Sequence, residues 1–294
     1  MENYLDIINH YLKEKNNLFR FNSFSNDVRL YGKHIIKAFN NKERLEKSIT
    51  GLQIMKNTNI SVPTVQFIYS ERQILIENYI DGIALNENTI ILSKEMLFDL
   101  GRLMGNFHSI NVSSQDDENS WIATILTDMK SIKAYLAPYE DDFKLGIDYV
   151  ETECKRIFKN LHFTYVHGDF KPSNIIWNKR KQKYYLIDFE NFMIGDPTLD
   201  IYKMLSILKA NDIYSFNEVE SFLNGYTSAC NLPDVFLKKW NFYDVYYSLR
   251  SIRRAIKENH FRNSEDQYIH NADLSAQKEN YRTLIMSEWL KKYL

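Results

Sequence analysis

Cysteine is nearly absent from this 294-residue chain, which holds only Cys154 and Cys230. Two thiols build neither a disulfide framework nor a cysteine-ligated metal centre, and they suit a reducing compartment. Glycine and proline are scarce as well, at 9 and 5 residues, which excludes collagen-like and low-complexity architectures. Neither sign of charge dominates: 37 Lys plus Arg face 38 Asp plus Glu, a net charge of −1. Without a global field, a nucleic acid or an anionic membrane would need a local patch to bind. Apolar runs last only a handful of residues, against the roughly 18–20 that a spanning helix requires. The opening residues Met1 to Asp6 carry no basic segment ahead of an apolar core, so no secretory leader is read there. We therefore expect a cytoplasmic globular chain with neither nucleic-acid nor membrane partners. Its oligomeric state is not legible.

What is present divides by texture. Hydrophobic residues make up 44% and charged residues 26%, ordinary for a globular protein, and 20 Tyr with 18 Phe supply bulk for core packing. Residues 1–17 read as a short helix with Leu5, Ile8 and Leu12 on one face. From Phe19 to Phe39 the pattern is strand-like, broken by the polar turn Asn22 to Asp27. A helix follows over Asn41 to Asn57 on the stripe Leu45, Ile49, Leu52 and Met55. Residues 65–69 and 73–77 read as a strand pair. Beyond Gly82 the chain turns helical, around 93–110, 121–136 and 143–160, with a strand–loop–strand at 163–189 and helices again to the end.

The chemistry gathers between His167 and Asp200. Asp169 stands five residues before Asn174, and a second strand delivers Asp188 at its end, followed by Phe189-Glu190. That spacing suits phosphoryl transfer: one acid accepts the proton of an attacking hydroxyl, while an amide oxygen and a second acid hold a divalent cation against nucleotide phosphates. Hard oxygen donors fit magnesium, and the absence of a His/Cys cluster speaks against zinc or iron.

This segment resembles the catalytic loop of the aminoglycoside phosphotransferase and choline kinase family, relatives of the protein kinases. The spacing His167-x-Asp169-x-x-x-x-Asn174 is intact, Ile187-Asp188-Phe189-Glu190 follows, and Gly195-Asp196-Pro197 comes next with Asp200 four residues after Asp196. The resemblance implies an α+β, two-lobed, protein-kinase-like fold. A small antiparallel-sheet lobe would span residues 1–77, a hinge 78–82, and a larger, mainly helical lobe 83–294. It implies ATP or GTP as phosphate donor and Mg²⁺ as cofactor. Asp169 would be the catalytic base and Asn174 and Asp188 the metal ligands, with Lys171 at the transferred phosphate or simply a solvated loop lysine. Ser25 and Asn26 would belong to the turn that covers the nucleotide, although Asn22 and Ser23 stand where the family has glycines. Lys37 would pair with the α/β-phosphates. It shares a strand face with Ile35 and Phe39, so it needs a fixed anionic partner unless it lies at an edge and reaches water. Glu46, on the flank of the helix stripe, is the expected partner in preference to Glu43, which points away from it. Glu77 and Tyr79 would sit in the hinge, where backbone groups meet the purine.

Around these residues we expect supporting roles. His167 reads as a buried hydrogen-bonding scaffold, Asp196 as a bond to the catalytic loop, Asp200 as a helix cap, and Arg250, Arg253 and Arg254 as a salt-bridged helix face. A protein kinase is disfavoured because Asp196-Pro197 comes only six positions after Glu190 and no Ala-Pro-Glu follows, leaving no regulated activation segment. A catalytically idle kinase-like fold and a metal-dependent hydrolase account for fewer of the motifs. The expected acceptor is a small hydroxyl compound, an aminoglycoside or similar antibiotic first, with choline, another amino alcohol or a sugar as alternative. Asp196 to Leu294 holds thirteen acids and thirteen Lys plus Arg, no acidic excess for a polycation. A local pouch could still be drawn from Glu258, Glu265, Asp266 and Asp273. Trp240, Phe242, Tyr243, Tyr246 and Tyr247 offer either a choline cage or plain helix packing, the latter being the simpler expectation.

Overall fold

The computed structural model describes residues 18–21, 26–85, 90–112, 118–159, 163–210 and 216–259. The helix expected over 1–17 lies outside the described residues, as do Ser25 and the acids Glu265, Asp266 and Asp273. Two compact units emerge, one from residues up to Ser93 together with His167–Met193, the other from Lys94–Val166 together with residues from Ile194 on. Among the described residues no helix is long and apolar enough to cross a membrane.

The first unit is built on strands β1 (Leu18–Phe21), β2 (Asp27–Tyr31), β3 (His34–Ala38), β4 (Val65–Tyr69) and β5 (Ile74–Asn78). They form one sheet in the order β1-β2-β3-β5-β4, antiparallel throughout. Tyr31 pairs with His34, and Gly32 in the intervening two-residue turn takes φ 58°, a conformation open to glycine at little cost. Strand alternation sorts the two faces. Tyr31, Ile36, Ile74 and Ile76 close a small core on one face. Lys37, Leu75 and Glu77 share the other, with Lys37 opposite Leu75 and diagonal to Glu77.

Helix α1 (Lys42–Met55) follows the third strand. Asn41 caps it in an extended conformation, its Oδ1 accepting the Glu43 N–H at 2.8 Å. Its buried face is Leu45, Ser48, Gly51, Leu52 and Met55. Gly51 matters most: a Cβ there would lie 2.7 Å from the Phe189 ring and 3.0 Å from Phe192. A second small sheet joins β6 (Ile83–Ala84), β7 (Ile175–Asn178) and β8 (Lys183–Leu186). Two of its strands lie inside the 167–190 segment, between Asn174 and Asp188.

The second unit is helical, as expected: α2 (Lys94–His108), α3 (Glu118–Leu136), α4 (Glu140–Ile157), α5 (Thr198–Ala210), α6 (Phe216–Thr227) and α7 (Phe236–Asn259). Helices α2 and α6 touch backbone to backbone. A Cβ at Gly101 would fall 1.9 Å from the Phe222 carbonyl oxygen, and one at Gly225 the same distance from that of Phe98. His108 joins this seam to α5, its ring nitrogens 3.1 Å from Tyr226 Oη and 3.3 Å from Asp200. Asp200 thus serves a buried histidine where a cap was expected. Asp196, expected to bond the catalytic loop, instead accepts from Lys239 Nζ at 2.8 Å and Thr198 Oγ1 at 3.2 Å. Trp240, Phe242, Tyr243 and Tyr246 are buried in helix packing. Tyr247 meets the chain's own Arg250 and Lys203 at 5.0 and 5.5 Å, so these rings form no vacant cage. Arg250 and Arg253 converge on Asp128 at 3.2 and 2.6 Å, the salt-bridged face the sequence suggested.

Candidate active site

The segment after Val166 cannot be a helix, because Gly168 takes φ 75° and its α-carbon faces Asn191, where a Cβ would lie 2.4 Å from a carbonyl oxygen. His167 braces the turn. It is fully buried; its Nε2 lies 3.0 Å from the Ile187 carbonyl and its Nδ1 accepts the Asp169 N–H at 3.3 Å. Those two partners define a neutral ring with the proton on Nε2. The histidine is the scaffold the sequence suggested.

Asp169 follows, partly exposed, and Asn174 reaches back to it: Nδ2 donates to the Asp169 carbonyl at 2.9 Å and to its Oδ2 at 3.1 Å. Lys171 Nζ lies 2.9 Å from the same Oδ2. Six residues of loop, Asp169 to Asn174, therefore present a carboxylate, an ammonium and an amide together. Since the Asn174 nitrogen is committed inward, its side-chain oxygen is the end that remains for a cation.

Asp188 follows β8. The Ile187 N–H donates to the Asn174 carbonyl at 3.0 Å, which sets Asp188 beside the catalytic loop. It adopts φ 69° and ψ 63°, a left-handed conformation that costs a non-glycine residue on the order of 1 kcal/mol. Among the described residues no group of three or more His, Cys, Asp or Glu could hold a metal by itself. One aspartate and one amide oxygen fit an ion that completes its shell with phosphate oxygens and water, as Mg²⁺ does.

Lys37 is buried, and its partner is Glu77, whose carboxylate oxygens lie 3.3 and 3.2 Å from Nζ. Burial opposes the charge on Lys37, but Glu77, then Asp188 and Glu190, outweigh it and hold the ammonium above its ordinary pKa. Glu46 does not take part. It is 61% exposed and pairs with Lys42 at 3.5 Å, one helical turn away on α1. The flank of the stripe faces solvent, and the buried face of α1 holds Ser48 with no acid. The Glu77 side chain, expected in the hinge, is spent on Lys37. Tyr79 is 39% exposed and its N–H donates to the Lys33 carbonyl at 2.7 Å, while Asn78 Oδ1 accepts the Thr64 N–H.

Asn26, the described end of the expected nucleotide turn, is buried and its amide donates to Glu190. Arg44 of α1 reaches the other oxygen of Glu190 at 3.3 Å. Sequence reasoning missed both Glu77 as lysine partner and Glu190 as a junction. The first was readable only with the strand register in hand. The second had a signal, an acid two residues after Asp188.

Residues 38–233 match the phosphotransferase enzyme family. The chain belongs to that family. No curated protein matches it, but solved structures align over nearly its whole length. The streptomycin–ATP complex of APH(2'')-IIa aligns with a TM-score of 0.65 at 17% identity, covering 95% of this chain and 97% of that one. The choline kinase LicA from Streptococcus pneumoniae gives 0.68 at 19%, covering 96% and 99%. Spectinomycin phosphotransferase APH(9)-Ia, bound to ADP and spectinomycin, gives 0.63 at 13%, covering 100% and 98%. This phosphotransferase therefore has the protein-kinase-like α+β fold that its loop spacing implied. The family match begins one residue after Lys37 and covers the 167–174 loop and Asp188.

Proposed function

We propose that this phosphotransferase is a small-molecule kinase that moves the γ-phosphate of ATP or GTP onto a substrate hydroxyl. The observation that carries the reading is the joining of Asp169, Lys171 and Asn174 in one loop with Asp188 set beside it through the Asn174–Ile187 bond. Asp169 takes the proton of the attacking hydroxyl as its oxygen bonds to the γ-phosphorus and the bond from that phosphorus to the bridging oxygen breaks, the nucleoside diphosphate leaving with that oxygen. Lys171, already at Asp169, follows the charge that gathers on the transferred phosphoryl group. Asn174 and Asp188 are the residues that would hold Mg²⁺, which when bound neutralises phosphate charge and fixes the donor's orientation. Lys37, charged and fixed by Glu77, meets the phosphates nearer the nucleoside.

A small acceptor fits the short run from Glu190 to Asp196, which leaves no platform for a docked peptide. The likeness to the streptomycin and spectinomycin enzymes supports an aminoglycoside or similar antibiotic as the first choice, and the likeness to LicA supports choline or another amino alcohol as the second. The test is nucleotide consumption with ATP and with GTP across aminoglycosides, spectinomycin, choline, amino alcohols and sugars. Stimulation by an antibiotic at micromolar KM supports the first choice. Stimulation by choline or a sugar alone overturns it, and silence with no Mg-nucleotide binding returns the chain to the idle-fold reading.

A further inference from the structure

Glu190 is buried within the first unit and is claimed from two directions. Asn26, at the mouth of β2, donates its amide to Oε2, and Arg44, in the first turn of α1, reaches Oε1 at 3.3 Å. The backbone of Glu190 lies two residues beyond Asp188, inside the short turn whose Phe189 ring packs against Gly51 of α1. One carboxylate thus links the start of the nucleotide-covering strand pair, the helix beside the sheet, and the segment that presents Asp188. Lys37, by contrast, is held within the sheet by Glu77, and α1 offers it no acid from its buried face. Helix α1 therefore communicates with the site through Glu190 and not through the lysine.

We propose that Glu190 is a positioning residue for the nucleotide site, holding the start of β2 and helix α1 in register with Asp188 through Asn26 and Arg44. The proposal rests on the kinase reading above. It assigns Glu190 no contact with the reacting atoms; the carboxylate acts through the groups it anchors. Burial of an acid bonded by one amide and one half-exposed guanidinium is costly unless both bonds persist, so removing its charge should loosen all three pieces together.

The experiment is calorimetric titration of Mg-ATP into the whole chain and into Glu190→Gln, Arg44→Met and the double variant, with thermal melts of each free protein. Hydrogen bonds to charged groups are strong enough for Glu190→Gln to weaken Mg-ATP by about tenfold. Arg44→Met, which changes a half-exposed side chain and so should fold, is expected to weaken it by about threefold. The double variant should match Glu190→Gln rather than multiply the two losses. Where an acceptor is found, the same variants should raise nucleotide KM while kcat stays within about twofold, a split that simple destabilisation does not produce. Lower melting temperatures with unchanged Mg-ATP affinity would overturn the proposal and leave the kinase reading standing. Failure of the unmodified chain to bind Mg-ATP would remove that reading, and this inference with it.

Discussion

Two buried lysine–acid pairs, one in each unit, look alike and are used differently. Lys239 and Asp196 are 1% and 0% exposed and 2.8 Å apart; Lys37 and Glu77 are 8% and 3% exposed and 3.2 Å apart. The first pair closes on itself, one cation to one anion, with Thr198 completing Asp196 Oδ1. The phenol of Tyr243 beside it is pushed well above its ordinary pKa, first by burial and then by the Asp196 charge, so it stays neutral. The second pair lies in a field of further acids. Asp188 and Glu190 both act on Lys37, and among the described residues only Glu190 has a cation of its own, Arg44. Among the described residues, Glu77, Asp188 and Glu190 thus face two cations, Lys37 and Arg44, and one negative charge is left over. Burial of an ion pair thus says little about function, and surplus charge around it says more.

The largest effect should come from the loop itself. Asp169→Asn should cut turnover by about 10²–10⁴-fold while leaving Mg-nucleotide affinity nearly unchanged, because it removes the proton acceptor and spares the phosphate ligands. Asp188→Asn should lose affinity for Mg-nucleotide itself; equal loss in both variants by calorimetry would erase the division of labour. Lys239→Met tests the closed pair. Leaving Asp196 buried without its cation should cost about 3–5 kcal/mol in denaturant titration, with the folded fraction keeping its nucleotide affinity.

The α2–α6 seam comes next. Gly101→Ala should cost about 3 kcal/mol, because the added methyl meets a backbone carbonyl that cannot rotate away. The two glutamates sharpen the comparison further. Glu77→Gln should weaken Mg-nucleotide by about tenfold by loosening Lys37, whereas Glu46→Gln, an exposed partner of Lys42, should change neither affinity nor stability by more than about 0.5 kcal/mol. The smallest effect is chemical. Burial pushes the Cys154 thiol up to about 12, against a weaker pull from Lys155, so alkylation of the folded protein near pH 8 should label Cys230 and spare Cys154.

Much of the first unit was legible from residue order because its signals are local. The stripe Leu45, Ile49, Leu52 and Met55 and the alternation through Ile35 to Phe39 each act within a few residues, so the helix and strands fall close to where expected. The catalytic loop was legible for the same reason: Asp169, Lys171 and Asn174 meet inside one turn of chain. The partner of Lys37 was not. Choosing Glu77 over Glu46 depends on the register of β3 against β5, and a helical flank can turn to solvent without violating its own periodicity.

Residue order alone thus determined the element types, the loop motif and the family, because short-range sterics and motif spacing survive without a partner in view. Tertiary structure alone decided which charges meet: Lys37 with Glu77, Lys239 with Asp196, His108 with Asp200, and Glu190 with both Asn26 and Arg44. The physical reason is desolvation. Once packing takes a lysine or a carboxylate out of water, it must bond to whichever opposite group lies within reach, and which group that is depends on strand register and helix rotation, which no short stretch of residues encodes.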